Sequence, residues 1–581
     1  MFKFNEKKIY LFSIYVILNF ALYSIIWASD LDVIVLNRKD IKNMNGQTVY
    51  DILNRIPGIS AGENFISIRG SLKVKVYLDD KPLNDPSSSH GGIKFDVISP
   101  EDIEKIKIIK GQGAVGYGND ASGGVILIYT IKKRSLGGNI KYYTGNFNTH
   151  SFKTNLRHNL HNIGFNITGG YFSTNGYQTN SDKEKYRLGV KIDSRLHNNS
   201  SIAISYDFLN SRRGISGRVE YPTPNLRKKS YMHSLGVNFS NYNLKTMTYI
   251  NKAHTSYSDS SKRLHTFIDV TKGGARVTKG IKLPYLKNTI IGLEGESAIG
   301  KGSTFNRHEE YSMSCFMSSH NKIFNIKELS INYGVRGTLN SHFKDYMDPE
   351  IKLIYKKNKF LGTISYSRNH NTPSFYQRYN KTSKREPNPS LDVESADNIC
   401  ASGSYKINDN FSLNFSVFKN RIKNRIVYVL GHNGVGKYNN FGSVTYKGFD
   451  GLFKWKYKMI RGNIGYTHLE ARDDKTGRWM VAKPKHKINL LINCKLKNNL
   501  SVVFDAKYES KQYTRTNNKT WVGARTIYNI RARYTLPKNR FINNKVEVFT
   551  EVKNLMNKHY LYGDGYLAPP RTWLIGINFY F

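Results

Sequence analysis

Alternation of apolar and polar residues recurs from about residue 135 to the end of the chain, and it constrains the fold more than any other feature. In the last ten residues, TWLIGINFYF, one face carries Trp573, Ile575, Ile577, Phe579 and Phe581. Successive side chains of a strand point to opposite faces, so each such segment has one apolar face and one polar or small face. A soluble sandwich also alternates, but it does not usually continue over residues 135–581. At about 20 residues per strand and connection, this length predicts about 22 antiparallel strands closed into a transmembrane β-barrel.

Composition agrees with a barrel wall, because aromatic residues reach 13% of a chain whose mean hydropathy is −0.51. The 88 basic residues exceed the 43 acidic ones and give a formal charge of +45. Binding to nucleic acid, attachment to an anionic membrane surface and biased codon usage each explain that excess. The lysines form no long basic block and no nucleic-acid-binding motif is present, so we expect no nucleic-acid partner.

The N-terminus has the pattern of a secretory signal. Lys3, Lys7 and Lys8 precede an apolar stretch over residues 9–28. We expect a signal peptide over residues 1–29. An uncleaved inner-membrane anchor is the alternative, since about 20 apolar residues can span a bilayer. In both cases the chain leaves the cytoplasm.

Residues 30–134 have a mixed character that predicts a small α+β domain. TVYDILNRIPGI, residues 48–59, has apolar residues at helical spacing and stops at Pro-Gly. Short alternating strands are expected over residues 65–70, 73–83 and 101–111.

Three glycines in this domain, Gly111, Gly113 and Gly116, have the GxGxxG spacing of a nucleotide-binding loop. A dinucleotide site needs a helix after the glycines, whereas here a β-branched run over residues 125–131 follows. The HRD and DFG triplets of kinases are absent from the sequence. We therefore interpret the glycines as turn residues between two strands.

These segments resemble the TonB-dependent outer-membrane receptors. The N-terminal matches are TVYDILNRIPGI, ISIRGSLKVKVYLDDKPLND and EDIEKIKIIKGQGAVGYGNDASGGVILI. The matches in the barrel region are residues 372–397, 438–451, 483–490 and 552–581. Two residues depart from the family pattern, since Asp80 and Pro570 stand where glycine is usual.

The resemblance implies a division into a signal peptide (1–29), a TonB box with a plug domain (30–134) and a barrel (135–581). It implies an outer-membrane transporter that captures a scarce metal chelate, a ferric siderophore or cobalamin, and imports it into the periplasm. TonB and its inner-membrane motor complex would be the partners, and outer-membrane lipid would surround the barrel. A haem receptor of the same family and a surface receptor or adhesin anchored by the barrel are the alternatives. No catalytic chemistry and no cofactor are expected.

The resemblance also places a TonB box just after the signal peptide. The box would comprise Asp32, Val33, Ile34, Val35 and Leu36. Such a short extended segment can pair with a strand of a partner by β-augmentation. The alternative is an ordinary first strand of the plug.

Candidate ligand-binding residues follow from the same resemblance, which implies that the plug loop LNDPSSSHGGIKF faces the external ligand. The candidates are Asn84, Asp85, Ser89 and His90 of this loop and Tyr376 and Tyr379 of the barrel. His90 could bind haem iron or another chelate, and tyrosine can also bind haem iron. No resident metal site is expected, because the cysteines and histidines lack metal-binding spacing. A siderophore or corrinoid is preferred over haem as the ligand.

Overall fold

The computed structural model of the protein describes residues 33–581 except 45, 89–90, 133–135, 283, 285, 287, 324–325, 432–433, 498, 538–543 and 564. The expected signal peptide, together with Asp32, Ser89 and His90, lies outside the described residues. Among the helices that the structure describes, none has the length and hydropathy to cross a membrane.

The N-terminal domain is built on a five-stranded sheet in the order β1-β6-β7-β4-β5, beside a small β2–β3 hairpin. Its strands are β1 (Ile34–Asn37), β2 (Ile59–Ala61), β3 (Ile66–Ile68), β4 (Val74–Leu78), β5 (Lys81–Pro82), β6 (Ile103–Lys110) and β7 (Gly124–Thr130). Its α-helices are α1 (Arg38–Met44), α2 (Val49–Leu53) and α3 (Ala114–Tyr117), with 3-10 turns at Phe95–Val97 and Pro100–Asp102. Only β4 and β7 run parallel, and a buried aliphatic core fills the domain.

Local sequence explains the turns of this domain. Thr48 caps α2, and its reciprocal bonds with Asp51 form a capping box. Asp79 and Asp80 both have positive φ, at 48° and 70°, which aspartate tolerates in a tight turn. The segment after Gly113 differs from the strand–turn–strand expectation, because the single helical turn α3 lies between β6 and β7. One turn is too short for a phosphate-binding helix, so the glycines remain turn residues.

The rest of the chain forms a closed barrel of 22 long strands in its described part, and the last strand pairs with the first. The strands are β8 (Gly137–Gly145), β9 (Thr149–Leu160), β10 (Ile163–Thr174), β11 (Lys183–Arg195), β12 (Ser201–Gly214), β13 (Gly217–Arg218), β14 (Tyr221–Pro222), β15 (Leu226–Ser240), β16 (Leu244–Asp259), β17 (Leu264–Ile281), β18 (Asn288–Gly302), β19 (Phe305–Lys322), β20 (Leu329–Asn340), β21 (Tyr346–Lys357), β22 (Phe360–Asn371), β23 (Arg385–Glu386), β24 (Glu394–Lys406), β25 (Phe411–Leu430), β26 (Gly436–Tyr457), β27 (Ile460–Asp473), β28 (His486–Lys497), β29 (Leu500–Glu509), β30 (Gln512–Tyr513), β31 (Trp521–Val522), β32 (Arg525–Thr535), β33 (Lys545–Lys553) and β34 (Thr572–Tyr580). The two-residue strands β13, β14, β23, β30 and β31 lie in the connections, as do helix α4 (Phe375–Tyr379) and a 3-10 turn at Ser260–Lys262.

The predicted alternation is confirmed along the barrel wall. In β34, Trp573 and Ile575 are each 50% exposed and face outward, whereas Asn578 is 4% exposed and faces the lumen. The outward apolar side chains suit contact with lipid, and the inward polar ones contact the N-terminal domain. The expected fold of a 22-stranded barrel with an α+β plug is therefore confirmed.

The two ends of the barrel differ in their connections. One end, here called the loop mouth, carries the long connections 215–225, 372–393, 474–485, 510–524 and 554–571. The other end, the turn mouth, has short connections such as 161–162 and 358–359. The N-terminal helix α1 lies toward the turn mouth, where Asn493 donates a 2.8 Å hydrogen bond to the carbonyl of Asn43.

Ion pairs of opposite polarity hold the plug on two sides of the lumen. Against β11, the plug supplies carboxylates, and Lys191 lies 2.6 Å from Asp79. Against β26, the plug supplies the cation, and Arg69 lies 3.0 Å from the buried Asp450. Strands β11 and β26 are almost half of the barrel circumference apart. Removing one partner from such a buried pair typically costs about 3–5 kcal/mol of stability.

Asp102 is a plug carboxyl that we expect to make stability depend on pH. Burial raises its pKa to about 6, because the guanidinium of Arg187 is 3.8 Å away and offsets burial only in part. An unfolded aspartate titrates near 3.8, so the folded plug binds the extra proton between about pH 4 and 6. Stability should therefore fall as the pH rises through this window, and Asp102→Asn should remove that loss. Urea unfolding of the plug, followed by protease cleavage from pH 4 to 8, measures it.

Asp85→Asn is the matched control for this change. Burial opposes the charge of Asp85, but Lys94 and the Ser87 hydroxyl outweigh it and hold its pKa below the usual value. Its stabilising contribution is present at neutral pH and is lost as the pH falls, so this variant should be less stable than the wild type near pH 7. If the stability of Asp102→Asn depended on pH as that of the wild type does, Asp102 would not be the group responsible.

Candidate functional site

Two of the candidate ligand residues, Asn84 and Asp85, use their side chains for contacts within the plug itself. The Asn84 side chain accepts a hydrogen bond from the Val76 N–H and donates one to the Val74 carbonyl, both at 2.9 Å. The Asp85 carboxylate is 3.0 Å from Lys94 and accepts a 2.7 Å bond from the Ser87 hydroxyl. These residues shape the loop, and their polar atoms are turned to internal partners.

The same loop docks against the barrel wall near the loop mouth. The Ser87 hydroxyl lies 3.2 Å from that of Thr255 on β16, and Lys94 donates a 3.3 Å hydrogen bond to Ser230 on β15. Ser230 is four residues from the loop-mouth end of its strand. The loop therefore lies on the loop-mouth side of the plug.

A cleft opens between the plug and the wall at this position. Its enclosed part is small, about 10 Å³, which is room for about one water molecule. Its walls are formed by Glu63, Asn64, Lys94, Asp96, Leu209, Ser211, Arg213, Lys228 and Ser230. Both carboxylates of the cleft already pair with Lys185, at 2.9 Å for Glu63 and 2.5 Å for Asp96. Lys94 is in turn paired with Asp85, and Arg213 is 3.7 Å from Glu63. With all ion-pair partners counted, five cations meet three carboxylates, so the cleft has excess positive charge, which suits an anionic ligand.

Lys228, like Arg213, is a cation of this cleft that the sequence analysis missed. Its ammonium lies 5.3 Å from the centre of the Tyr257 ring, in a cation–π contact. It stands on the lumen face of β15, whereas the adjacent Lys229 is exposed on the outer face. The alternation of β15 could have separated these two lysines, but the plug loop opposite Lys228 is visible only in the fold.

The two candidate tyrosines lie on the connection between β22 and β24, in helix α4. Ser374 caps this helix and forms a capping box with Gln377. The Tyr379 ring is 8% exposed and stacks on His308, with ring centres 3.7 Å apart and planes 5° apart. Tyr379 is thus covered, which weakens it as a ligand of haem iron.

Tyr376 belongs to a second aromatic group at the loop mouth. The guanidinium of Arg385 faces the rings of Tyr376, Tyr428 and Tyr438 at 4.8, 5.4 and 5.6 Å. In the described residues, no hydrogen bond or ring contact joins this group to the plug loop at Asn84 and Asp85. The structure therefore places the candidate residues in two separate groups.

Ile34, Val35 and Leu36 of the segment expected to be the TonB box lie in strand β1 of the plug, and Val33 precedes the strand. Ile34 to Asn37 pair antiparallel with β6, in the register Ile34↔Ile108, and Leu36 is 1% exposed. On its other side β1 has no strand partner within the part of the chain that the structure describes, so it is an edge strand. An edge strand presents unpaired backbone groups to which another chain can add.

The described residues include no group of three or more His, Cys, Asp or Glu side chains that could hold a metal ion. Cys315, Cys400 and Cys494 are free thiols. The candidate sites in this part of the chain therefore consist of charged side chains, aromatic rings and the free edge of strand β1.

Comparison with known proteins gives matches along most of the chain. The family model described as "TonB dependent receptor-like, beta-barrel" matches residues 112–555, and the "TonB-dependent Receptor Plug Domain" matches residues 28–125. The sequence is 32% identical to the vitamin B12 transporter BtuB of Vibrio vulnificus (strain CMCP6) over 115 residues. That match spans only 18% of either chain.

Solved structures of two receptors are among those that share the fold. The siderophore receptor PirA from Acinetobacter baumannii aligns with a TM-score of 0.79 at 14% identity, covering 96% of this chain and all of that one. A double mutant of the ferric enterobactin receptor PfeA from Pseudomonas aeruginosa aligns with a TM-score of 0.77 at 16% identity, covering 95% and 98%. At this identity the likeness bears on the fold and leaves the ligand open.

Proposed function

Because the chain belongs to the TonB-dependent receptor family of the outer membrane, we propose that it actively imports an anionic metal chelate into the periplasm. The observation that carries this proposal is a closed barrel filled by a plug whose edge strand β1 precedes α1, near the turn mouth. A filled lumen lets no bulky solute diffuse through, so passage requires the plug to move. The turn mouth would face the periplasm, since periplasmic connections of such barrels are short.

The roles of the parts follow from this arrangement. The loop mouth above the cleft would bind the chelate, whose negative charge the cations of the cleft would attract, and β1 would pair with TonB, which transmits energy from the inner membrane. The protein would supply binding and gating, without covalent chemistry. Residues 1–29 would be the signal peptide, 30–134 the TonB box and plug, and 135–581 the barrel.

A ferric siderophore is the ligand that the charge of the cleft favours, with a corrinoid as the alternative. Five cations, counted with their ion-pair partners, meet three carboxylates at the cleft, and Lys228 contacts the ring of Tyr257. Cations in a partly desolvated cleft attract an anion more strongly than they do in bulk water. The covered ring of Tyr379 argues against its use as a haem ligand.

Two alternatives remain as outcomes of a test. A haem receptor would use His90, so a tight haem complex that is lost in His90→Ala would reverse our preference. An adhesin would need a folded domain at the loop mouth. The longest described connection, 372–393, instead carries a single short helix and a two-residue strand.

Lys228→Gln should weaken binding of ferric enterobactin, an anionic tris-catecholate, by about tenfold, as expected for the loss of one charged hydrogen-bond donor. Vitamin B12, which lacks that negative charge, should bind equally to both forms. Fluorescence quenching of the purified protein measures each affinity. Lys229→Gln removes the same charge from the outer face of β15 and should leave both affinities unchanged.

The same titrations separate the ligand classes. Binding of ferric enterobactin that depends on Lys228 would support a siderophore as the ligand. Binding of vitamin B12 alone would show that the ligand is a corrinoid. Equal losses of affinity for ferric enterobactin in Lys228→Gln and Lys229→Gln would show that the overall charge of the protein, and not the cleft, governs binding. Binding of none of the probes, haem included, would contradict the chelate proposal.

A further inference from the structure

One strand of the wall, β11, carries a row of cations that faces the plug. They are Lys183, Lys185, Arg187 and Lys191, here called the cation ladder. Alternate residues of a strand share a face, so all four project into the lumen. At about 3.4 Å per residue, the ladder extends over about 27 Å of strand, from the loop mouth toward the turn mouth.

Each member of the cation ladder has a carboxylate partner on the plug. Lys183 and Lys185 pair with Glu63, and Lys185 is also 2.5 Å from Asp96. Lower down, Arg187 is 3.8 Å from Asp102, and Lys191 is 2.6 Å from Asp79. The side chains of the ladder are largely buried against the plug, with exposed fractions between 8% and 23%.

Cations elsewhere on the lumen wall either pair singly with the plug or pair within the barrel. Lys141 with Glu101, at 2.6 Å, and Lys553 with Asp51, at 3.2 Å, are of the first kind. Arg336 is 2.6 Å from Glu294, and Arg525 is 2.5 Å from Glu509, so both partners belong to the barrel itself. Those pairs keep their neutrality when the plug moves. The cation ladder would lose its partners, because Glu63, Asp79, Asp96 and Asp102 all leave with the plug.

We infer that the cation ladder is the path along which an anionic chelate crosses the barrel once the plug has been displaced. This inference rests on the proposed function. The upper end of the ladder adjoins the cleft, since Glu63 lines the cleft and pairs with Lys183. Lys185 and Arg187 would then bind the chelate in succession before Lys191 releases it toward the turn mouth. Several weak sites in a row allow both entry and exit of a charged solute.

The seated plug would keep this path closed electrostatically as well as sterically. Its carboxylates neutralise the ladder at rest, so no bare row of cations is buried in the wall. When they withdraw, water and the anionic solute replace them as partners of the same ammonium and guanidinium groups. Only the ion-pair partners of the ladder change in this step, and no covalent bond is made or broken.

Asp207 provides a control for the alternative that these contacts only hold the plug. It lies on the neighbouring strand β12, opposite Gly189 and therefore level with the ladder, and its partner is Lys81 of the plug at 2.6 Å. Asp207→Asn thus breaks a comparable contact of opposite polarity. If the pairs serve plug retention alone, Lys191→Gln and Asp207→Asn should have the same effect.

Ion selectivity tests the path without knowledge of the natural ligand. The full-length protein is inserted into planar bilayers, and urea is raised to a concentration that unfolds the plug. At the same urea concentration, the barrel should still show heat-modifiable mobility on gels. In a potassium chloride gradient, the wild type should prefer chloride. The triple variant Lys185→Gln/Arg187→Gln/Lys191→Gln should lose about tenfold of that preference, the low end of the effect of a charge-lined cleft. Asp207→Asn should keep or increase it. A cation-selective wild type, or an unchanged triple variant, would overturn the inference.

Uptake by whole cells supplies a second measurement, with ferric enterobactin as the probe in a host that lacks its own receptors for it. Lys191→Gln should slow uptake severalfold while leaving surface binding unchanged, and Asp207→Asn should not slow it. Equal slowing in both variants would assign the contacts to plug retention. Failure of the wild type to bind or import the probe would count against the proposed ligand, whereas the bilayer measurement still decides the path.

Discussion

Deletion of residues 572–581 should abolish insertion of the protein into the outer membrane. Strand β34 pairs with β33 on one side and with β8 on the other, so its removal opens the barrel at two edges. Each backbone group left unsatisfied in lipid costs several kcal/mol, and both edges would carry a row of them. Heat-modifiable mobility of the membrane fraction on gels measures closure. A truncated protein that still forms a heat-modifiable barrel would contradict the observed pairing.

A deletion of equal length in a connection is the control. Residues 512–521 belong to the connection 510–524 at the loop mouth, and the residues left behind suffice for a hairpin between β29 and β32. The wall keeps all of its long strands in this variant. It should therefore insert normally, so that a failure of both deletions would point to length or expression and not to closure.

Ile34→Pro should abolish uptake while leaving ligand binding intact. Proline lacks the backbone N–H and restricts φ, so it weakens pairing with any partner strand. Because β1 is an edge strand of the plug sheet, the plug should tolerate the change. Ile34→Ala keeps the backbone donor and should be mild. Uptake and surface binding of the same ferric chelate measure the two effects, and normal transport by Ile34→Pro would place the TonB box elsewhere.

The pairing of β1 with β6 raises a further question that cysteines can answer. Val35 stands opposite Lys107, so Val35→Cys/Lys107→Cys can tie the two strands together under oxidation. If TonB must take β1 away from the sheet, uptake should stop on oxidation and return with a reductant. Uptake that persists in the oxidised form would mean that the partner adds to the free edge of β1. The two single-cysteine variants control for the substitutions.

The barrel was predictable because its signal is local and repeated. Alternation in TWLIGINFYF already separates Trp573, Ile575 and Ile577 from the lumen-facing Asn578, and the structure confirms that division. The number of strands followed from the length, since each strand with its connection uses a similar number of residues. The turn at Asp79-Asp80 was likewise predictable from its residue types.

The candidate site was less predictable, because composition does not reveal which polar atoms are satisfied internally. Asn84 and Asp85 suit a ligand by type, yet their hydrogen bonds go to the plug itself. The plug residues opposite Lys228 and the partners of the cation ladder depend on contacts between residues at least 85 positions apart in the sequence. No local pattern carries such information. The helical turn α3 was missed because four residues between glycines give too short a window for periodicity.

The opposite polarity of the plug contacts on β11 and β26 has a consequence for how the two domains assemble. A plug turned by half a revolution about the barrel axis would bring Arg69 toward the lysines of β11, and Glu63 toward Asp450. Like charges would then meet in a poorly hydrated space, where repulsion is strong. The charge pattern therefore disfavours the reversed setting of the plug, so that repulsion between like charges, together with close fit, selects the observed orientation.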